Sequence, residues 1–328
     1  MSGPLLLADV PWLLYRSFFA LPKSIVGADG QPVNALLGTV NTILSVYEGR
    51  LTAPDVRRVV ACLGAEQADY RVALYPAYHA HREPMPAELA AQWEQAPSLL
   101  ESLGWLVASS AELEADDVMF SYARAEEEAG GSALIVSGDR DMFAAVSERV
   151  SVVELRKGGK LGLIGPQQVR ERYGVEPAQV PDFIALRGDP SDGLPGAPGI
   201  GAKTAAELLR AHGSLEGVLA AAEAGVLRPR ATASMREHAE LLRAFKRIAT
   251  LQRIEVARPA DGAADFARGA ALARELGMRR LAERLTLRAA EHARCRASPG
   301  ERHGGYKVES TSKPSNTCHG DQDQAQLR

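Results

Sequence analysis

A chain of 328 residues that is 46% hydrophobic and 24% charged can bury one large core or two small ones. Its formal net charge is only −3, so bulk charge announces no nucleic-acid partner, and the distribution of charge matters more than its sum. Three widely spaced cysteines, Cys62, Cys295 and Cys318, make neither a metal-ligand pattern nor a disulfide framework and fit a reducing cytosol. Met1-Ser2-Gly3-Pro4 lacks a basic segment and Asp9 ends the first apolar run, so neither a signal peptide nor a membrane span is expected.

In chain order, residues 5–8 read as a strand, 12–20 and 33–47 as helices, 56–63 as a strand and 86–103 as a helix. Residues 105–108, 133–137 and 150–155 read as further strands, with a helix at 114–129 between two of them. Strands alternating with helices imply an α/β fold whose mostly parallel sheet carries helices on both faces. From Pro166 the chain becomes helical and short-looped, with helices expected at 177–186, 202–212, 215–224 and 231–251, which places a boundary near residue 165. Residues 268–296 form one or two arginine-bearing helices. The segment 297–328 has almost no apolar residues to offset ordering entropy and is expected to be a disordered tail.

Eight carboxylates fall in four clusters: Asp9; Glu114, Asp116 and Asp117; Asp139 and Asp141; Asp189 and Asp192. Most follow an apolar run, which brings them to the carboxyl edge of a buried sheet, where open α/β sheets place their ligands. Charges gathered so closely need a compensating cation, so the pattern suggests divalent metal and phosphate chemistry. Each acid also has a plain structural reading. Asp9 can cap the helix near Trp12, Glu114, Asp116 and Asp117 suit a helix start, and Asp139, Asp141, Asp189 and Asp192 suit turns.

Leu194-Pro195-Gly196-Ala197-Pro198-Gly199-Ile200-Gly201 joins two helical segments, and Lys203-Thr204 opens the second. Glycines there allow close backbone approach, and a helix start offers N–H groups to a phosphate. The hairpin is preceded by Gly188-Asp189-Pro190-Ser191-Asp192. With Leu6-Leu7-Ala8-Asp9, Tyr15-Arg16-Ser17-Phe18, the segment from Tyr75 to Arg82, Leu113 to Val118, and Val136-Ser137-Gly138-Asp139-Arg140-Asp141, the chain resembles the 5′-nuclease family over roughly residues 4–255. That family includes free-standing bacterial 5′-3′ exonucleases, the amino-terminal domain of DNA polymerase I and flap endonucleases.

The resemblance implies a PIN-like α/β nuclease domain over 1–165, with a gateway at about 66–97 arching over the site. It further implies a helical helix-hairpin-helix domain over 166–257, followed by a basic extension over 258–296. It implies Mg2+ or Mn2+, two ions, one group resembling Asp9, Glu114 and Asp116, the other Asp117, Asp139, Asp141 and Asp192 with Asp189 nearby. It also suggests K+ at the hairpin. Arg16 and Arg82 match phosphate contacts, Tyr78 a base-stacking position, and Gly196, Gly199, Gly201, Lys203 and Thr204 the duplex-holding hairpin. Arg16, His79, Asp116 and Asp141 are the expected catalytic residues. The basic cluster Arg228, Arg230, Arg236, Arg243, Lys246, Arg247 and Arg253 is a plausible phosphate footprint, whereas the arginines from 279 to 296 read as a solvated face.

Two departures fall inside this pattern. Gly64 stands where the family has an Asp, and His79 stands where it has a Lys. The expected function is a monomeric, cytoplasmic, nucleoid-associated bacterial 5′-3′ exonuclease and flap endonuclease acting on DNA 5′ ends, flaps or nicks, with catalysis weakened by these changes. The alternatives are a catalytically impaired DNA-binding protein of the same fold, a PIN-type ribonuclease, and a magnesium-dependent phosphatase.

Overall fold

The computed structural model describes residues 3–49, 55–156 and 160–297, without side chains beyond residue 294. Cys318, and the tail expected at 297–328 apart from the backbone of Ala297, lie outside the described residues. At the centre is β1 (Leu5–Asp9), buried along its whole length. Its side chains alternate between two cores: Leu5 and Leu7 enter one, Leu6 and Ala8 the other. Around it lie β2 (Arg58–Cys62), β3 (Leu106–Ala108), β4 (Ala133–Val136), β5 (Val150–Leu155) and β6 (Leu161–Ile164), in the order β3-β2-β1-β4-β5-β6. All neighbours are parallel apart from the β5–β6 hairpin. The chain builds one side of the sheet from β1 to β3 and the other from β4 to β6. The order therefore reverses between β1 and β4, and a crevice opens at their carboxyl ends.

One face carries α1 (Val10–Ala20), α2 (Asn34–Tyr47) and α4 (Ala87–Ser102); α5 (Ala115–Glu128) packs on the other. Without a side-chain cap of its own, α2 has the backbone N–H groups of Ala35 and Leu36 bonded to Gln92 Oε1 of α4, at 2.8 and 3.2 Å. A short helix, α3 (Asp69–Leu74), stands before the gateway tyrosine. The segment expected as a gateway, 66–97, includes the first part of α4, a helix that buries Leu89, Ala96, Leu99 and Leu100 in the second core.

The helical half comprises α6 (Pro166–Tyr173), a 3-10 turn leading into α7 (Val180–Arg187), α8 (Ala202–His212), α9 (Leu215–Glu223) and α10 (Pro229–Ala249). Its Leu242 and Phe245 share a continuous core with Leu5 and Val60 of the sheet. The architecture thus changes near residue 165 without a break in packing. The extension forms two helices, α11 (Phe266–Glu275) and α12 (Arg279–Ala297). They are separated at Gly277, where φ is +80° and a Cβ would lie 2.3 Å from Ala28 N. Among the described residues no helix is long and apolar enough to cross a membrane.

Phe266, Ala270, Ala273, Met278, Leu281 and Leu285 of the extension are buried in the second core. Fully burying a large apolar side chain contributes about 1.5–3 kcal/mol. A chain ending at residue 261 is therefore expected to melt far below the full chain, or to aggregate and bind a hydrophobic dye. An unchanged melting temperature would show that the extension does not support the fold.

Candidate active site

Asp9 terminates β1 and caps α1, its Oδ1 accepting from Trp12 N at 3.0 Å. Its Oδ2 accepts from Ser137 Oγ at 2.6 Å, just beyond the end of β4. Ser137 Oγ in turn accepts from Asp139 N at 3.0 Å, and Asp139 Oδ1 accepts from Asp141 N at 2.9 Å. One hydrogen-bonded chain therefore orders the acids that follow β1 and β4. Asp116, in the first turn of α5, completes the group.

Asp9, Glu114, Asp116, Asp139, Asp141 and Asp192 line a single cavity of about 480 Å³. Burial pushes Asp9 up to about 6, moderated by the hydrogen bonds from Ser137 and Trp12. Burial, then the charge of Asp192, pushes Asp139 up to about 7. Burial also holds Asp116 and Asp141 well above the usual carboxylate range, with Asp139 the next cause in both cases. Asp141 Oδ1 is buried and has no hydrogen-bond partner among the described residues. Among the described residues no group of three acidic, histidine or cysteine side chains is placed to hold a metal ion by itself. The carboxylates instead ring an open space, which suits a hard cation that keeps part of its water.

Glu114 and Asp117 behave differently. Arg71, a buried arginine of α3, pairs with Glu114 Oε2 at 2.6 Å and with Asp117 Oδ1 at 3.0 Å. Glu114 also accepts from Ala68 N and from Tyr78 Oη. Asp117 Oδ1 also accepts from Gln252 N at 2.7 Å, and Asp117 does not line the cavity. Asp117 thus pairs with Arg71 beside the cavity, and its Oδ2 is buried without a hydrogen-bond partner among the described residues. Asp189 likewise stays outside the cavity lining and caps its own turn, accepting from Ser191 N at 2.8 Å and from Ser191 Oγ.

Tyr78 is buried, with its ring stacked on His79 at 3.7 Å and its hydroxyl donated to Glu114, so it presents little surface to a base. Trp12, Tyr15, Phe19 and Trp93 line the same cavity, and Phe19 is 71% exposed. Tyr15 lies edge-on to Trp93, with centroids 6.4 Å apart. Arg82 lines the cavity, whereas Arg16 is exposed on α1 with its guanidinium over the Trp12 ring. Gly64 is not an empty carboxylate position. A Cβ there would lie 2.5 Å from the backbone of Leu113, Glu114 and Ala115. Glu66, two residues on, lines the cavity and accepts from Tyr15 Oη.

At the hairpin, Gly196 has φ +69° and its Cβ position lies 2.3 Å from Gly188 N, so the fold demands glycine there. Arg230 lies against Gly199. Gly201 has ordinary backbone angles and open space around its Cβ position, and the following Lys203 is exposed while Thr204 is half-buried. Much of the expected basic footprint is spent on ion pairs: Arg243 with Glu216 and Glu240, Lys246 with Asp182, and Arg253 with Glu128. Arg228, Arg230 and Arg247 form no ion pair among the described residues. Ser137 and Arg71 are central to the site yet carry little signal of their own. Ser137 stands out only as the residue between a buried strand and Gly138-Asp139.

Residues 4–174 match the model of the 5′-3′ exonuclease N-terminal resolvase-like domain, and residues 175–261 match that of the 5′-3′ exonuclease C-terminal SAM fold. The chain belongs to the 5′-3′ exonuclease family. Within it, the chain is 39% identical over 244 residues to a 5′-3′ exonuclease of Mycobacterium tuberculosis, covering 68% of this chain and 75% of that one. It is also 39% identical over 217 residues to DNA polymerase I of the same species, covering 66% of this chain but only 24% of the polymerase. The fold matches that of the bacteriophage T5 flap endonuclease solved with DNA and metal ions, at a TM-score of 0.59 and 18% identity, covering 89% of this chain and 99% of that one.

The raised value of Asp139 makes a pH-dependent statement about this exonuclease fold. A carboxyl whose folded value exceeds its unfolded one contributes stability at low pH and loses it as pH rises through the folded value, here between about 4 and 7. Asp139→Asn keeps an acceptor for Asp141 N and removes the charge. In chelator, the variant is expected to melt above wild type at pH 8, with the difference vanishing towards pH 4. A variant no more stable at pH 8 would show that the acids do not repel one another.

Proposed function

We propose that the protein hydrolyses phosphodiesters near DNA 5′ ends, as a 5′-3′ exonuclease and flap endonuclease, with divalent metal held by Asp9, Asp116, Asp139, Asp141 and Asp192. The observation that carries this is the cavity at the β1–β4 switch point, where the buried carboxylates of Asp9, Asp116, Asp139 and Asp141 meet without an ion-pair partner among the described residues. Asp141 Oδ1 lacks any partner among the described residues, and the donors are all hard oxygens, which fits Mg2+ or Mn2+. Two such ions, when bound, would supply an activated water and stabilise the attacking and leaving oxygens. Glu114 serves on the rim, where Arg71 already holds it.

The chain's own residues do the remaining work. Ser137 orients Asp9 and Asp139. Arg82 and Arg16 supply cations for phosphates beside the cavity. Trp12, Tyr15, Phe19 and Trp93 offer ring faces to the bases of an unpaired 5′ strand, each stacked base contributing about 1–3 kcal/mol. The role assigned from sequence to Tyr78 thus passes to the exposed Phe19 and the half-buried Trp12, Tyr15 and Trp93, and Tyr78 serves to hold Glu114. The open backbone at Gly201, with Lys203 and Thr204 at the start of α8, suits a duplex phosphate, with K+ at the hairpin as the resemblance implies. We assign the activity to a monomer acting on DNA with 5′ ends, flaps or nicks at the bacterial nucleoid.

A second reading, a fold retained for DNA binding with reduced catalysis, is favoured by Gly64 and His79. The first position lacks a carboxylate and has no room for one; the second lacks a free cation, because His79 is bonded to Asp192.

A labelled 5′-flap substrate with Mg2+ or Mn2+ separates the two readings. Cleavage is expected. Asp116→Ala and Asp141→Ala should lower it by more than about 100-fold, the upper range for losing even an indirect metal partner. Both variants should still bind the flap in a gel-shift assay. Binding by wild type without any cutting would establish the second reading. Gly64→Asp should not raise the rate, and overpacking against residues 113–115 should destabilise it by about 1–3 kcal/mol. Faster cleavage by that variant would show that the position is open after all.

A further inference from the structure

His79 is the only non-glycine residue with positive φ among those described, at +56°. It is buried, and its Nδ1 has no hydrogen-bond partner among the described residues. Both features are unfavourable, and glycine would adopt this backbone without strain. What the side chain does in return is specific. Its Nε2 lies 2.9 Å from Asp192 Oδ1, while its backbone N–H donates to Asp192 O at 3.2 Å. The ring is clamped from behind by Tyr78, stacked at 3.7 Å and 23°, and Tyr78 is itself tethered through its hydroxyl to Glu114. Arg82 reaches the same Oδ1 only at 3.4 Å from a half-exposed position. Asp192 Oδ2 accepts no hydrogen bond among the described residues, and Asp192 lines the acidic cavity.

From this geometry we infer that His79 is a positioning residue for Asp192: it fixes one carboxylate oxygen so that the other faces the metal site, and it does not contact the scissile phosphate. The bonded ring nitrogen donates to Oδ1 in its Nε2–H tautomer. Hydrogen-bonded partners of metal-binding carboxylates act in this way, and their loss typically weakens metal affinity by 10–100-fold. The imidazole cannot swing towards a phosphate without breaking the Asp192 bond and leaving Tyr78. The position therefore serves the metal site indirectly, where the family's lysine would offer a mobile charge. This inference rests on the metal-dependent reading above.

The test uses the full chain and two variants. His79→Gly removes the imidazole and relieves the backbone; His79→Gln retains a donor at similar reach. Mn2+ binding is measured without DNA by electron paramagnetic resonance, alongside melting in chelator and flap kinetics. The expected result is a loss of Mn2+ affinity by about 10-fold or more in His79→Gly, a melting temperature no lower than wild type, and a fall in kcat with KM for the flap unchanged. His79→Gln is expected to hold Mn2+ within about 3-fold of wild type, well inside that loss. Unchanged Mn2+ affinity in His79→Gly with a raised KM would overturn the inference in favour of a phosphate contact. Unchanged affinity with a lowered melting temperature would overturn it in favour of a purely structural role. If wild type itself bound no Mn2+, the metal-dependent reading would fall, and this inference with it.

Discussion

Repulsion among buried carboxylates is the constraint around which this molecule is arranged. Parallel strands deliver acids to the carboxyl edge of the sheet, and the reversal of order between β1 and β4 leaves space there. Burial penalises each charge, and each neighbour adds to the penalty. The fold meets this in two ways. On one flank Arg71 neutralises Glu114 and Asp117 directly. Around the cavity Asp9, Asp116, Asp139 and Asp141 have no such partner among the described residues, and their charge is left uncompensated by the protein's own side chains. A closed set of internal ion pairs would have given a more stable and inert protein.

Arg71 also links that electrostatic solution to the architecture. Its Nε donates to Ile248 O at the end of α10, and Asp117 receives the backbone N–H of Gln252 just beyond. The helical half is thereby attached to the same acids that border the cavity. A displacement of α10 would disturb the neutralisation of Glu114, and through Glu114 the anchoring of Tyr78 and Ala68. The segment before the cavity, the acids and the helical half form one mechanical unit for this reason, and not because of bulk packing alone.

Much of this was legible in the sequence, and the omissions have physical causes. Five strands and most helices follow from apolar runs and periodicity, and the acid clusters follow from their place at the ends of those runs. The missed strand, β6, is a four-residue edge strand containing Gly162, too short and too interrupted to show alternation. The six-residue α3 is equally short. Asp117 follows Asp116 directly on a helix, and adjacent helical residues point about 100° apart, so only one of them can share a cavity with Asp9. A list of acids in family order does not contain that rotation. Gly64 looked like a gap because a missing side chain in sequence implies space, whereas here the backbone of residues 113–115 fills it. Arginines 236 and 253 looked like a DNA footprint because their acidic partners are distant in sequence, and Arg243, besides the nearby Glu240, pairs with the distant Glu216.

The segment from Gly188 to Gly201 ties the turn that carries Asp192 to the hairpin. Gly188 ends α7 with φ +86°, and the bridge between Asp189 and Leu194 closes the turn that carries Asp192 to the cavity. Gly196 then packs against the backbone of residues 187 and 188 so tightly that no side chain fits. These contacts leave little freedom between Asp192 and the hairpin. Gly201 differs, since neither its backbone angles nor its surroundings require glycine. The first group of glycines sets a distance within the protein; the last leaves backbone open to something outside it. A duplex held at Gly201 would be held at a set spacing from Asp192, so the bond presented to the acids follows from where the helix start meets the phosphate, without any reading of bases.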